Sequence, residues 1–401
     1  MNHAITDICD PTALTRDLIR RRSVTPLDDG ALDIVQAALE QLGFHVERLP
    51  FRETGTPDVD NLYARVGTSG RNVCFAGHTD VVPAGDETAW RFGPFDASID
   101  DGVIFGRGAV DMKGAIACFI AAVARSKKTM PDAFEGGSIS LLITGDEEGP
   151  GTNGMVKLLD WLRSRGEVID DCIVGEPSNA TVVGEAIKVG RRGSINGELV
   201  VRGRQGHTAY PDLADNPIPK LACLISALAD VKLDDGTTHF APSRLAFSRI
   251  SAPNTVTNII PNEARATFNV RYNDTWTRDE LEQHLQDVCG RAADGLQAEF
   301  DLSFSGSGGV FLTKPGRLVD TITRAVADVV GAPPRHETGG GTSDARFIKD
   351  ICPVVEFGLV NATIHKVDEQ VPVADLETLT KIYMRFLQSY FAADGAAHNG
   401  A

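Results

Sequence analysis

The stretch VCFAGHTDVV, residues 73–82, is the part of this sequence that decides the fold. It opens with an apolar run that is typical of a strand buried on both faces of a sheet. The run ends at Gly77, and His78 and Asp80 follow it. Ligands of open α/β sheets bind beyond the carboxyl ends of the strands, so the pattern predicts a functional site at this point.

His78 and Asp80 have the chemistry of a metal ligand and its supporting carboxylate. They are two residues apart, so on an extended backbone their side chains point to the same side. A neutral imidazole binds zinc well, and a nearby carboxylate can fix its tautomer and raise its basicity. A histidine and an aspartate in an ordinary surface turn are the alternative, which an H-x-D motif alone does not exclude.

The composition indicates an acidic globular protein. A chain of 401 residues is long for one domain, which predicts two hydrophobic cores. Its contents of 42% hydrophobic and 23% charged residues are ordinary for a soluble protein. The formal charge of −16 and the pI of ≈ 5.0 argue against nucleic acid or an anionic membrane as a partner.

The cytoplasm is the predicted compartment. The opening residues, MNHAITDICD, lack the apolar segment of a signal peptide, and no stretch reaches transmembrane length. The seven cysteines are odd in number, scattered and without a C-x-x-C pair. We therefore expect them to be mostly buried and reduced, and we do not expect a zinc site built from cysteines.

Two further apolar runs are each followed by acidic residues. The run SISLLIT, residues 138–144, predicts a buried strand, and Glu147 and Glu148 follow it in GDEEG. A shorter run ends at Val174 and is followed by Glu176 in GEPS. Solvated turns also carry acids, which is the alternative. Three strands that present an acid or a histidine at one edge favour a site in which one glutamate binds metal and its neighbour is a general base.

Asp111 and His365 are the remaining candidate ligands. Asp111 stands in GRGAVDMKGA just before a predicted helix, where a carboxylate is commonly a cap, although the nearby Gly114 favours a close approach of the backbone. His365 lies in a loop between an apolar run and the last predicted helix. The nitrogen and oxygen ligands expected of a two-metal site with a shared carboxylate are then His78, Asp111, Glu148, Glu176 and His365. Two divalent cations against three carboxylates leave about one positive charge, which suits an anionic substrate.

These motifs resemble those of the di-zinc amidohydrolases that include aminoacylase and carboxypeptidase-type exopeptidases. GHTDVVP, GRGAVDMKG, GDEEG, GEPS and the late His365 carry the resemblance, which covers nearly the whole chain. Longer stretches, among them GRRGSINGELVVRGRQGHTAYP, TGGGTSDARF and NATIHKVDEQVP, are similar to the members that remove succinate from an N-succinylated diamino acid in lysine and cell-wall precursor synthesis. The resemblance implies a zinc-exopeptidase-like α/β catalytic domain that holds two Zn²⁺ per subunit, which Co²⁺ can replace.

The resemblance also implies a role for each matching ligand. Asp111 would bridge the two metal ions. His78 and Glu176 would complete one metal site, and Glu148 with His365 would complete the other.

Residues beside the ligands receive implied roles as well. Asp80 would orient His78, and Glu147 would be the base that deprotonates water and then protonates the leaving amine. The peptide bond between Asp111 and Met112 is expected to be cis. His207, whose alternative is a solvated loop imidazole, would donate a hydrogen bond to the developing oxyanion of a neighbouring subunit.

A separate module is predicted in the middle of the chain. The alternating and helical patterns there have the order βαββαβ, which predicts a ferredoxin-like layer of helices on an antiparallel sheet. This insert would span residues 193–307, between two parts of the catalytic domain at 1–192 and 308–401. An edge strand of such an insert is a ready interface, and the resemblance implies a homodimer formed through this dimerisation and lid domain.

Cationic side chains and a glycine-rich loop are the candidates for capture of an anionic substrate. Guanidinium groups suit carboxylates, which favours Arg191 and Arg271, whereas Arg192 has a solvated surface as its alternative. The loop TGGGTS offers backbone N–H donors and lacks the lysine of a phosphate-binding loop. With the positions implied by the resemblance, the predicted substrate residues are Lys188, Arg191, Tyr210, Asn258, Arg271, Gly340, Gly341 and Thr342.

Two classes of function are compatible with these observations. The first is a hydrolase of small anionic N-succinyl amino acids, with another N-acyl-amino-acid deacylase or a dipeptidase as the alternative substrate assignment. The second is a non-catalytic, metal-stabilised binding protein of the same fold. Glu147 favours the hydrolase, because a binding protein has no use for a general base beside its metal ligands.

Overall fold

The computed structural model of the chain describes residues 7–130, 134, 136–254 and 256–398. They form two compact units. The first unit comprises Met1–Val189, Thr313–Glu337 and Ser343–Ala401, and the second comprises Gly190–Leu312 and Thr338–Thr342.

The helices and strands follow one another along both units. The helices of the described residues are α1 (Pro11–Ile19), α2 (Ala31–Gln41), α3 (Gly114–Thr129), α4 (Met155–Arg165), α5 (Pro217–Ala229), α6 (Arg278–Asp294), α7 (Arg317–Val330), α8 (Ala345–Ile348) and α9 (Val373–His398). The strands are β1 (His45–Arg48), β2 (Leu62–Val66), β3 (Asn72–His78), β4 (Ser98–Asp100), β5 (Val103–Phe105), β6 (Ser138–Thr144), β7 (Asp171–Val174), β8 (Ala186–Lys188), β9 (Gly190–Arg191), β10 (Gly193–Arg202), β11 (Gly206–His207), β12 (Arg244–Ser251), β13 (Ile259–Ile260), β14 (Glu263–Tyr272), β15 (Glu299–Gly308), β16 (Phe311–Leu312), β17 (Arg335–Glu337), β18 (Val354–Glu356) and β19 (Gln370–Pro372).

The first unit is built on an eight-stranded sheet with the order β1-β2-β6-β3-β7-β18-β8-β17. Strand β3, which contains the apolar run of the opening motif, is parallel to both of its neighbours, and all of its residues are buried. A continuous apolar run predicts this environment, because parallel strands are covered on both faces.

An aromatic cluster fixes two helices against β3. The ring of Phe75 stacks on Phe119 of α3 with the ring centroids 4.4 Å apart, and Tyr383 of α9 meets both rings edge on. The Tyr383 hydroxyl also donates a 2.6 Å hydrogen bond to the carbonyl of Phe357. Aromatic pairs of this kind contribute about 0.5–1.5 kcal/mol beyond the burial of their area, so they stabilise the packing of α3 and α9 on the strand that ends at His78.

The second unit has the predicted ferredoxin-like order of elements. Its four-stranded antiparallel sheet has the order β12-β14-β10-β15, and α5 and α6 pack on it around a core that includes Leu199, Leu224, Phe268 and Leu285. Helix α6 begins with a capping box, in which Thr277 and Glu280 each bond the backbone N–H of the other.

The second unit starts and ends outside the predicted insert. The insert of 193–307 begins three residues after Gly190 and ends five residues before Leu312. The second unit also takes in Thr338–Thr342, which contains part of the glycine-rich loop. The catalytic and dimerisation roles that the sequence assigns to the two parts stay predictions.

Two further observations concern the chain as a whole. None of the helices within residues 7–130, 136–254 and 256–398 is both long and apolar enough to cross a membrane. All seven cysteines lie in the described part of the chain, and each is a free thiol.

Candidate metal centre

Three parallel strands of the first unit end side by side. In their register His78 pairs with Thr144, and Ala76 pairs with Val174. The segments that leave β3, β6 and β7 therefore emerge at the same edge of the sheet. They carry His78, Glu147 with Glu148, and Glu176, as the three apolar runs predict.

Two glycines make room for the side chain of Met112 at this edge. A Cβ atom at position 77 would lie 2.3 Å from the Met112 Cε atom, and one at position 175 would lie 2.6 Å from it. Any larger residue in either place would displace the methionine next to Asp111. Both glycines are visible in the sequence, as Gly77 before His78 and Gly175 before Glu176. Their contact with Met112 is not predicted by the sequence.

Asp111 is held in an irregular turn, Ala109–Lys113, that precedes α3. The peptide bond between Asp111 and Met112 is cis, as predicted. Helix α3 begins three residues after Asp111, and no side chain among the described residues caps its start. The alternative of a helix cap is therefore excluded for Asp111.

The five predicted ligands converge in two groups that share Asp111. The first group is His78, Asp111 and Glu176, and the second is Asp111, Glu148 and His365, with the ligand atoms of each group within 4.8 Å of one another. The two groups use different oxygens of the shared carboxylate. The Nε2 atom of His78 lies 3.1 Å from Asp111 Oδ1, and the Nε2 atom of His365 lies 3.1 Å from Asp111 Oδ2.

The remaining distances complete each group. Glu176 Oε1 lies 3.6 Å from the Nε2 atom of His78, and Glu148 Oε1 lies 2.8 Å from the Nε2 atom of His365. A carboxylate that offers one oxygen to each of two imidazole-containing groups has the form of a bridging ligand. The donor set of nitrogen and oxygen atoms without thiolate suits zinc and the neighbouring divalent ions.

The electrostatics of the centre favour positive charge. Hydrogen bonds with Asp111 and Glu148 raise the pKa of His365 to about 10. Burial would lower the pKa of His78, but its contact with Asp111 and the charges of Asp80 and Glu176 raise it well above the ordinary value. Burial, and then the charges of the neighbouring carboxylates, raise the pKa of Glu176 well above its ordinary value. Closely spaced carboxylates thus attract cations to this point, whether protons or metal ions.

Glu147 has the properties of a general acid–base group. Burial, and then the negative charges of Asp344, Glu148 and Asp111, raise its pKa to about 8, against the opposing effect of His78. A group whose pKa lies near the working pH exchanges protons most effectively. Glu147 belongs to neither of the two groups that share Asp111, although it forms a third cluster with His78 and Glu148.

Asp80 links the first histidine to the two glutamates. Its carboxylate accepts hydrogen bonds from the backbone N–H groups of Glu147 and Glu148, at 3.3 and 3.1 Å. The Nδ1 atom of His78 lies 2.8 Å from the Asp80 backbone carbonyl oxygen and 3.6 Å from its carboxylate. Asp80 therefore contacts His78 mainly through its backbone, and its side chain fixes the segment that carries both glutamates.

Several buried charged residues near the centre were not singled out from the sequence. Asp344, in TGGGTSDARF, is 4% exposed, and burial raises its pKa to about 7. Arg107 and Glu369 form a buried ion pair of 2.7 Å next to the Asp111 turn. Asp344 lies in TGGGTSDARF and Glu369 in NATIHKVDEQVP, but a single sequence does not distinguish these two buried acids from solvated ones.

The second unit places two predicted substrate residues, Tyr210 and Asn258, close to His207. The backbone N–H of Thr208 bonds the carbonyl of Asn258, and the Tyr210 ring lies 5.8 Å from the His207 ring. The His207 side chain is exposed, and its Nδ1 atom accepts a 3.0 Å hydrogen bond from the Ala209 backbone. In the neutral ring this bond leaves the proton on Nε2, which is then a hydrogen-bond donor.

The predicted anion-binding residues have different environments. In the second unit, Arg191 is buried and donates a 3.0 Å hydrogen bond to the carbonyl of Gly339, so it lies against the glycine-rich loop. Burial and the charges of Arg192 and Arg191 lower the pKa of Arg271, which indicates an arginine cluster. In the first unit, Lys188 is buried and forms a 2.6 Å ion pair with Glu337, which offsets its charge.

The chain is similar in sequence to one peptidase family and to relatives that share one name. The sequence profile of peptidase family M20/M25/M40 matches residues 74–389. The chain is 56% identical over 384 residues to a succinyl-diaminopimelate desuccinylase of Rhodospirillum centenum, with 96% of this chain and 98% of that protein covered. A protein of the same name from Rhodopseudomonas palustris is 52% identical over 390 residues, with 96% and 98% covered.

Solved structures show the same fold at lower sequence identity. The aminopeptidase PepT of Bacillus cereus superposes with a TM-score of 0.78 at 20% identity, over 96% of this chain and 100% of that one. At this level of identity the similarity concerns the fold alone.

Proposed function

The chain belongs to peptidase family M20/M25/M40, and on this premise we propose that it hydrolyses N-succinyl-LL-2,6-diaminopimelate to succinate and LL-2,6-diaminopimelate. The sequence-based assignments to a metal-dependent hydrolase and to a zinc-exopeptidase-like fold are confirmed. The substrate rests on identities of 52–56% to the desuccinylases over 96% of this chain. The observation that carries the chemistry is the pair of ligand groups around Asp111 with Glu147 beside them.

The residues of the centre fit two divalent cations. His78, Asp111 and Glu176 would hold one ion, and Asp111, Glu148 and His365 the other. When bound, such ions polarise an amide carbonyl and make water more acidic. We propose Zn²⁺ as the ion, with Co²⁺ as a substitute, because imidazole and carboxylate ligands suit both.

Glu147 performs the proton transfers in the proposed reaction. It takes a proton from the attacking water, whose oxygen forms a bond to the succinyl carbonyl carbon. It then delivers this proton to the amide nitrogen as the C–N bond breaks, so that succinate and a free amine leave. A carboxylate beside the two ligand groups, but in neither of them, is placed to accept the proton and then to return it.

We assign substrate capture to arginine side chains and to the part of the glycine-rich loop that belongs to the second unit. The substrate is anionic whereas the chain carries a net charge of −16, so local positive groups must attract it. Arg191 and Arg271 suit carboxylates through paired hydrogen bonds, and Gly340, Gly341 and Thr342 offer backbone N–H groups. Tyr210 and Asn258 are proposed to contact the substrate near His207. Lys188 has a weaker case, because Glu337 already engages its charge.

A homodimer in the cytoplasm is the proposed setting of the reaction. Strand β12 lies at the edge of the second unit's sheet, where its outer side can pair with another strand. The seven cysteines are free thiols, which is compatible with a reducing compartment such as the cytoplasm.

Substrate preference is the direct test of this function. We expect the purified protein with Zn²⁺ to hydrolyse N-succinyl-LL-2,6-diaminopimelate in preference to other N-acyl amino acids and dipeptides. Release of the amine can be followed across such a panel at equal concentrations. A clear preference for an acetylated amino acid would point to another deacylase of the family, and no hydrolysis of any member would favour a binding protein.

Removal of metal is expected to abolish activity. Because the ligands are imidazole and carboxylate groups, chelation should strip the centre, and Zn²⁺ or Co²⁺ should restore hydrolysis while Mg²⁺ should restore it poorly. Activity and elemental content are measured on the same samples. Full activity in protein shown to contain no metal would contradict the proposed chemistry.

A further inference from the structure

A buried carboxylate joins the two loops that carry Asp111 and His365. Glu369 is fully buried, and its Oε2 atom accepts a 3.0 Å hydrogen bond from the Gly108 N–H. Its Oε1 atom accepts hydrogen bonds from the N–H groups of Val110 and Asp111, at 2.9 and 3.3 Å. One side chain thus binds three backbone groups of the turn that presents the shared ligand.

The turn needs these external partners. Gly108 has a φ of +85°, and the backbone angles of Asp111 and Met112 are not helical. The N–H groups of such a segment do not meet the carbonyls that a regular helix would supply. Because buried backbone groups require partners, the carboxylate of Glu369 takes the place of those carbonyls.

Arg107 extends the same connection to the loop of His365. Its Nη1 atom donates to Glu369 Oε2 at 2.7 Å and to the carbonyl of Lys366 at 3.3 Å. Its Nη2 atom donates to the carbonyl of Pro83 at 3.3 Å. Glu369 and Arg107 therefore connect the turn of Asp111 with Lys366, the residue after His365, and with Pro83, which follows the stretch VCFAGHTDVV.

His365 depends on such backbone contacts for its position. Its side chain is 46% exposed, whereas that of Glu148 is 9% exposed, so packing restrains the histidine little. Its backbone has a φ of +58°, in the left-handed region that non-glycine residues seldom adopt. The connection through Lys366 fixes the loop directly beside it.

We propose that Glu369 and Arg107 are positioning residues. They set the affinity with which the second ligand group, formed by Asp111, Glu148 and His365, binds its cation. Two of these three ligands, Asp111 and His365, lie on segments that Glu369 and Arg107 hold. In the first group, only Asp111 lies on such a segment. The inference rests on the proposed two-cation centre and is independent of the choice of substrate.

Replacement of Glu369 by glutamine tests the inference. An amide keeps the size of the side chain but turns one acceptor oxygen into a donor, which must face a backbone N–H. We expect Glu369→Gln to weaken the binding of the second Co²⁺ by about 10- to 100-fold and that of the first by much less. Co²⁺ titration of the metal-free full-length chain, followed by visible absorption and calorimetry, measures both affinities. Saturating Co²⁺ should restore kcat.

A second, partly exposed ion pair of the same unit supplies the control. Glu377 of α9 accepts two hydrogen bonds from Arg125 of α3, at 2.8 and 2.7 Å. Glu377→Gln should leave both Co²⁺ affinities unchanged. If Glu369→Gln does not fold, Arg107→Lys replaces it, since lysine keeps the charge but cannot hold Glu369, Lys366 and Pro83 together.

The outcomes separate the inference from the proposed function. Unchanged second-ion affinity in Glu369→Gln, or in Arg107→Lys if that variant is used, would overturn the inference alone. Equal losses at both ions would also overturn it, because His365 belongs to the second group only. An unsubstituted chain that does not bind two cations would overturn the two-cation centre itself and the inference with it.

Discussion

Replacing Glu147 by glutamine should reduce the rate of hydrolysis by about 10²–10⁴-fold while both metal ions stay bound. The amide has nearly the size of the carboxylate but cannot accept the proton of the attacking water. Glu147 lies outside the two groups that share Asp111, so its loss should not remove a ligand of either. Initial rates and elemental analysis after dialysis measure the two effects on one preparation.

The adjacent glutamate supplies the control. Glu148 lies 2.8 Å from the Nε2 atom of His365, and Glu148→Gln should selectively weaken the second ion. The contrast is informative because Glu147 and Glu148 both cluster with His78. Loss of metal only in the Glu147 variant would show that the two roles are reversed.

The ligands could be predicted from the sequence because each follows a strong local signal. A continuous apolar run predicts a buried strand, and parallel strands bring their carboxyl ends to one edge. His78, Glu148 and Glu176 are found on this basis without knowledge of any tertiary contact. Asp111 and His365 do not directly follow such a strand, and only the complete set of motifs made them candidates.

The supporting contacts could not be predicted in the same way. Glu369 lies four residues after His365, and nothing local indicates that it bonds the backbone of a turn more than 250 residues earlier. The glycines at 77 and 175 are visible as strand ends, but their contact with Met112 depends on the tertiary position of the Asp111 turn. Such contacts follow from long-range packing, which a single sequence does not specify.

Whether a charged side chain is available to bind a substrate also depends on tertiary contacts. Lys188 is a cation in the sequence and a natural candidate for an anionic substrate. In the structure it is buried against Glu337 through a parallel strand pair. The sequence contains both residues, but their separation of 149 positions conceals the pairing.

His207 is expected to act across the proposed dimer, and its loss should lower the rate by about 10²–10³-fold. The hydrogen bond from Ala209 to its Nδ1 atom leaves Nε2 as a donor, which is the form that stabilises a developing oxyanion. Its exposed position on the second unit leaves the ring accessible to another chain. Tyr210 and Asn258 lie beside it, so a substrate bound there would meet all three.

Mixed dimers distinguish action across the dimer from action within one chain. Glu147→Gln and His207→Ala homodimers should each be nearly inactive. In a heterodimer isolated by two different affinity tags, the subunit that keeps Glu147 receives an intact His207 from its partner, which gives one complete site. If His207 instead served its own chain, every site would still lack one group, and the heterodimer would stay as inactive as its parents.

The reciprocal heterodimer has the opposite expected result and therefore controls for loss of activity during preparation. It pairs an unsubstituted chain with a chain that carries both Glu147→Gln and His207→Ala. Action across the dimer leaves the unsubstituted chain's Glu147 without a histidine and the doubly substituted chain without its base, so this heterodimer should be inactive. Action within one chain would leave one complete site. An active reciprocal heterodimer beside an inactive mixed one would therefore assign His207 to its own subunit and contradict the prediction.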